Sequence, residues 1–197
     1  TISAFGWGES REELTQIAGV EKINITEGRA REAKRQTRKA FLAVDIGTTT
    51  IAAALADKET GAVLATAGCG NSQCIFGQDV LSRIKASVSG TGEKLKTLIR
   101  QDILNLSEEI QKKQKDSVIE HIYIAGNTTM EHLYMGDSCE GLGKAPFTPV
   151  SLAERKDSLL NIPVTLLPGI SAFVGADIAA GMLACRMDGE EKPSVEC

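Results

Sequence analysis

Phe41-Leu42-Ala43-Val44-Asp45-Ile46-Gly47-Thr48-Thr49-Thr50-Ile51-Ala52-Ala53-Ala54-Leu55 is the stretch whose reading decides the fold. The apolar run 41–44 reads as a buried strand. Asp45 closes it, Gly47 permits a tight turn, and three hydroxyls bend the chain back into a second apolar run. Exposed N–H groups at a sharp turn form a concavity for anions, and hydroxyls add to it. Gly47, Thr48, Thr49 and Thr50 are therefore candidate phosphate contacts. Asp45 is the candidate catalytic and metal-positioning group, because a magnesium ion keeps several waters that a carboxylate at a strand end can orient. The turn joins two strands, not a strand and a helix, which excludes a Walker loop and a dinucleotide fingerprint. An ordinary hydroxyl-rich β-turn is the alternative that these residues leave open.

Downstream, the spacing predicts strands near 41–45, 50–57 and 62–67, with Lys58-Glu59-Thr60-Gly61 as a hairpin turn. A loop over 68–77 leads into a helix beginning near Gln78. Leu95, Leu98, Ile99, Ile103, Leu106 and Ile110 then recur at helical spacing in a helix over 93–115. A strand over 119–125 is followed by Gly126-Asn127-Thr128-Thr129 opening another helix. A helix N-terminus favours an anion, and Asn127 or Thr128 is equally suited to capping. A glycine-rich loop over 136–149, a strand over 163–167 and a helix over 176–185 complete the pattern. Asp177 lies in the first turn of that last helix, where the dipole alone accounts for an acid. Three antiparallel strands followed by alternating helices and strands predict an α/β fold. It is a three-stranded antiparallel meander extended by parallel strands, with helices on both faces.

Two further positions bear on the site. Asp79 and Arg83 lie four apart on one predicted helix and read as a surface ion pair or as a cleft-lining pair. His132 reads as a packing or capping residue, not a ligand.

Residues 1–40 differ in character. Ser10 is placed to cap a short helix over 11–18, and a strand-like segment over 20–25 follows. Arg29, Arg31, Lys34, Arg35, Arg38 and Lys39 then crowd together with Glu32 as their only opponent. The segment reads as a linker or the end of a preceding module, with a docking surface for an acidic partner as the alternative.

With 197 residues, 42% apolar and 24% charged, the composition is that of a soluble globular domain able to bury a core. A net charge of −4 argues against a nucleic-acid footprint. No apolar run approaches the roughly 18 residues of a membrane helix. Cys69, Cys74, Cys139, Cys185 and Cys197 are an odd, scattered set, unlike an exported disulfide framework. The Cys69–Cys74 spacing opens a plant-type iron–sulfur motif, but its next cysteine is absent. Four thiolates are not expected to converge, so no iron–sulfur cluster is expected in this chain, and cytoplasmic thiols are.

The turn at 45–50 resembles the first phosphate loop of the actin and sugar-kinase superfamily. It is joined by Asn71-Ser72-Gln73, by the block 76–84, by Ala125-Gly126-Asn127-Thr128-Thr129-Met130 with His132-Leu133, by Ala145-Pro146-Phe147 and by the block 167–178. In this order, over about 40–185, the blocks resemble the actin-like (ribonuclease H-like) ATPase domain of the reductive activators of corrinoid proteins. These are often described as uncharacterised iron–sulfur proteins.

The resemblance implies ATP and a magnesium ion as cofactors. Asp45 and Asp177 would then face the metal, and Gly126, Asn127 and Thr128 would join the 47–50 turn at the phosphates. It implies a cytoplasmic protein that uses ATP to restore Co(II) corrinoid methyl-transfer proteins to Co(I). Its partners would be the corrinoid protein and a ferredoxin-like [2Fe-2S] donor, with a homodimer as one arrangement. Two departures stand out. The chain lacks the ferredoxin cysteines, and the family's second Asp-x-Gly-Thr turn is not found in it. Residues 41–190 are thus expected to be the first half of the ATPase domain and 191–197 the start of the second, in a fragment or split subunit. The alternatives are a non-catalytic module that docks a corrinoid protein or dimerises, and a relative of sugar or acid kinases.

Overall fold

A computed structural model describes residues 37–187. Six strands, β1 (Arg38–Ile46), β2 (Thr50–Asp57), β3 (Val63–Gly70), β4 (Ser117–Gly126), β5 (Arg155–Leu159) and β6 (Ile162–Leu166), form one sheet in the order β3-β2-β1-β4-β6-β5. The helices are α1 (Val80–Ala86), α2 (Gly92–Lys113), α3 (Thr128–Met135) and α4 (Ala176–Ala184). β1, β2 and β3 are the antiparallel meander, and β4 and β6 extend it in parallel. No helix follows Gly47; β2 does.

Side-chain alternation explains which face each strand buries. Leu42, Val44 and Ile46 of β1, Ile51, Ala53 and Leu55 of β2, and Ile122 and Ile124 of β4 pack with Leu95, Ile99, Ile103, Leu106 and Ile110 of α2. Each such side chain taken from water contributes about 1.5–3 kcal/mol, so the α2 stripe anchors the layer. Asp45 points to the opposite face from Val44 and Ile46, and Asp177 of α4 acts on it electrostatically. α1 and α2 are parted at Gly90, whose φ of 97° only glycine adopts readily.

Several boundaries differ from expectation. β1 begins at Arg38, so Arg38 and Lys39 of the basic run stand in the strand, with Lys39 Nζ 2.6 Å from Glu120 Oε1. β3 continues through Gly68 and Cys69 to Gly70, and a 3-10 turn, Ser72–Phe76, replaces the expected loop. β5 was not expected at all: it forms an antiparallel edge hairpin with β6. The helix over 11–18, the strand over 20–25 and the segment 191–197 lie outside the described residues. Among the described residues, no helix is long and apolar enough to cross a membrane.

Candidate functional site

β1 and β4 are parallel neighbours whose chains leave in opposite directions, β1 to β2 and β4 through α3 to β6. Ligands of open α/β sheets bind in the crevice beyond strand ends at such a switch point. The 47–50 turn lies there. Gly47 N donates to Thr50 O at 3.0 Å, and a Cβ on Gly47 would fall 2.6 Å from that oxygen, so the turn requires glycine.

The carbonyls of the turn are taken from the protein side. Asn71 Nδ2 donates to Gly47 O at 2.9 Å and Asn71 N to Thr49 O at 2.9 Å. Arg83 Nη2 donates to Thr48 O in a short hydrogen bond. The N–H groups of Thr48 and Thr49 have no acceptor among the described residues. Two adjacent free amides beside half-exposed hydroxyls are the donor set of an anion nest. Thr49 and Thr50 are exposed and Thr48 is half-buried.

Asn127 links the two candidate loops. Its Nδ2 donates to Thr48 Oγ1 at 3.2 Å while its Oδ1 accepts from Met130 N at 3.1 Å as the N-cap of α3. Asn127 is thus the cap that its place at the strand-to-helix turn suggested, and it also tethers Thr48. Thr128 turns away: it is buried, and its hydroxyl donates to Ser171 O at 2.7 Å. A Cβ on Gly126 would meet Ile46 O at 3.1 Å, so this glycine serves the approach of β4 to β1. A Cβ on Gly175 would come within 2.5 Å of Gly126 O and 2.7 Å of Thr128 N, which shows how tightly the start of α4 covers the first turn of α3.

Asp177 acts electrostatically on two other carboxyls, Asp45 and Glu131. Burial, and then the charge of Asp177, raise the Asp45 carboxyl above the usual range. Burial and Asp177 likewise push Glu131 of α3 up to about 8, and its Oε1 is buried without a hydrogen-bond partner. Glu131 escaped the sequence reading; a carboxylate within Met130-Glu131-His132-Leu133 was its only signal. Among the described residues, no group of three or more His, Cys, Asp or Glu side chains is placed to hold a metal ion. Asp45 and Asp177 still suit magnesium, which is commonly held by one or two carboxylates together with phosphate oxygens and water. A cation there would reverse the upward shift of Asp45.

The support beneath the turn was misread from spacing. Asp79 and Arg83 form no ion pair. Asp79 is exposed and caps α1, accepting from Ser82 N at 2.8 Å and Ser82 Oγ at 2.8 Å. Arg83 is fully buried. Its Nε donates to Gly77 O at 3.0 Å, and its Nη1 reaches Gln73 Oε1 and Met130 Sδ, each at 3.3 Å. Gln73 in turn donates to Leu95 O at 2.8 Å, and Ser72 N and Oγ donate to Asp102 at 2.8 and 2.7 Å. The turn therefore stands on α2 through a buried polar relay.

His132 is a structural residue, as its sequence context suggested. Nδ1 lies 2.7 Å from Thr128 O and Nε2 accepts from Val150 N at 2.9 Å, which assigns a neutral ring with the proton on Nδ1. Cys69, Cys74 and Cys139 are free thiols, and burial pushes Cys139 up to about 11. Phe147 and Phe173, from separate sequence blocks, meet edge-to-face with centroids 5.1 Å apart.

Comparison with known proteins agrees with this architecture. The family described as the RACo middle region matches residues 41–190. The corrinoid activation enzyme RamQ of Eubacterium limosum is 32% identical, over 75% of this chain and 27% of the relative. A solved reductive activator for a corrinoid, iron-sulfur protein superposes with a TM-score of 0.71 at 32% identity, covering 79% of this chain and 27% of that one. The chain thus spans about a quarter of the length of the relatives it matches. The match over 41–190 leads to one conclusion: the chain belongs to the RACo middle region family.

Proposed function

We propose that this chain is the ATP-binding portion of an ATP-dependent reductive activator that returns corrinoid methyl-transfer proteins from Co(II) to Co(I). The observation that carries the reading is the pair of unsatisfied Thr48 and Thr49 amides, facing outward because the carbonyls of Gly47, Thr48 and Thr49 are held inward. Gly47, Thr48, Thr49 and Thr50 would hold phosphate oxygens, and Asn127 would fix Thr48 against them. Asp45 and Asp177 would hold a magnesium ion through its waters, the ion neutralising charge on the transferred phosphoryl group. Gly126 and Thr128 would shape the second loop from behind. The relatives' names, a corrinoid activation enzyme and a reductive activator, support the corrinoid protein as partner.

The redox step is a single-electron transfer. A ferredoxin-like donor loses one electron and Co(II) gains it, while ATP hydrolysis makes the uphill transfer favourable. Within the RACo-type protein, residues 41–190 would be the first half of the ATPase domain, working in the cytoplasm, with a homodimer as one assembly. The test uses the full-length activator that carries this region, a Co(II) corrinoid protein, a reduced ferredoxin and ATP, with Co(I) followed by its absorption. Formation should require ATP and fall by about 100-fold or more in Asp45→Asn, since phosphoryl transfer rests on positioned charge. Equal Co(I) formation without ATP, or an unaffected Asp45→Asn protein, would rule the reading out.

A further inference from the structure

We propose that Arg83 is a positioning residue for a polyphosphate at the 47–50 turn: from below, it holds the Thr48 carbonyl inward and so keeps the Thr49 N–H of the same peptide turned outward, beside the Thr48 N–H, whose own peptide carbonyl, Gly47 O, is held by Asn71. The inference rests on the reading of that turn as a phosphate site.

Three observations carry it. Arg83 is 0% exposed, yet all its acceptors, Gly77 O, Gln73 Oε1, Met130 Sδ and Thr48 O, are uncharged. Among the described residues, no carboxylate lies within ion-pair distance of it, and Asp79 spends both oxygens on Ser82. Burying a guanidinium without a directly paired carboxylate is costly, and burial pulls its pKa below the ordinary value against the smaller opposing charges of Cys74 and Asp79. An anion seated on the other side of the Thr48 peptide adds a negative charge on the side where no carboxylate is paired with the guanidinium.

The second observation is geometric. The planar fork joins the Gly77 carbonyl before α1, the 3-10 turn through Gln73, α3 through Met130, and the phosphate turn through Thr48. A lysine has no fork with which to span these positions. The third is polarity. A peptide whose carbonyl is bonded to a cation has its N–H side available for a negative group, so fixed charge and amide dipoles act in one direction.

The experiment is an NMR titration of the 15N-labelled chain with inorganic pyrophosphate, without metal. In the wild type, the Thr48 and Thr49 amide signals and the Arg83 Nε–H signal should move together and give one Kd. Arg83→Met, which keeps the volume and removes the charge, should weaken binding by about tenfold or more. Arg83→Lys should fail to restore it. A wild-type Kd in folded Arg83→Met would overturn the inference and leave the phosphate reading standing. So would full rescue by Arg83→Lys, since charge without the fork would then suffice. If neither variant folds, the wild-type Arg83 Nε–H signal decides: movement in step with the amides supports positioning, and a static signal overturns it. Silence at Thr48 and Thr49 in the wild type would overturn the phosphate reading, and this inference with it.

Discussion

Gly47, just before β2, and Gly70, the end of β3 paired with Thr50, differ sharply in what they tolerate. A Cβ at Gly47 would lie 2.6 Å from the Thr50 carbonyl oxygen, whereas one at Gly70 meets nothing within 4 Å. Gly47→Ala should therefore cost about 1–3 kcal/mol through forced opening of the turn, and Gly70→Ala much less, as compared by chemical denaturation. Equal costs would mean that the turn relaxes freely. His132 supplies a pH-dependent counterpart. The folded chain keeps its ring neutral, chiefly through burial, while the unfolded chain protonates it near pH 6.5. Below that pH the unfolded state binds more protons, so stability falls as the pH drops through 6.5 toward the lower folded value. His132→Gln should be less stable at pH 8 but should lose that part of the slope; an unchanged slope between pH 7 and 5.5 would clear His132 of the role. At this scale the sequence was legible where chemistry is local. Gly47 and Thr48 announce a tight polar turn by type alone. Arg83 does not, because four-residue spacing from Asp79 looks the same whether the guanidinium meets solvent or lies beneath a loop. Only its burial separates the two.

β5 shows what periodicity misses. Arg155-Lys156-Asp157-Ser158-Leu159 alternates correctly for a strand, but two of its three inward positions, Arg155 and Asp157, are charged. Asp157 meets Arg100 of α2, which also donates to Ser158 O at 2.9 Å and lies 5.0 Å from the Tyr134 ring centroid; Arg155 meets Asp137. Inward charges on a short edge strand deter pairing with a foreign strand, and they also erase the apolar signal that betrays a strand. The Arg100–Asp157 pair is about three-quarters shielded, at 23% and 22% side-chain exposure, while Glu108–Lys112 is 65% and 78% exposed at 3.9 Å. Asp157→Ala should destabilise by about 1–3 kcal/mol, and Glu108→Ala by about 0–0.5 kcal/mol. Urea midpoints of the two variants provide the check, and similar shifts would show that β5 docks without its ion pair. α2, by contrast, was legible almost to the residue, because one long apolar stripe fixes both its identity and its buried face.

At the level of the whole molecule, element order was enough to predict the meander and the parallel strands, since right-handed crossovers leave few arrangements. The assembly of the loops over 136–154 and 167–175 was not legible. Their contacts, Thr128 with Ser171, Gly175 against Gly126 and Phe147 with Phe173, join positions far apart in sequence through backbone geometry that no local pattern encodes. α4 has a consequence of its own. Only Asp177 among its nine residues is charged, yet Ile178 is 50% and Leu183 64% exposed, with Met187 just beyond it at 60%. A helix apolar on all sides normally lies in an interior, and uncovered in water it gives the particle a sticky pole. In solution the 197-residue chain should behave as an attractive colloid. Its second virial coefficient by static light scattering should be negative at low salt and turn positive in Ile178→Glu/Leu183→Lys, with the unfolding midpoint little changed. A positive coefficient for the wild type would show that α4 is shielded, and formulation of this chain would then need no surface charge added at that pole.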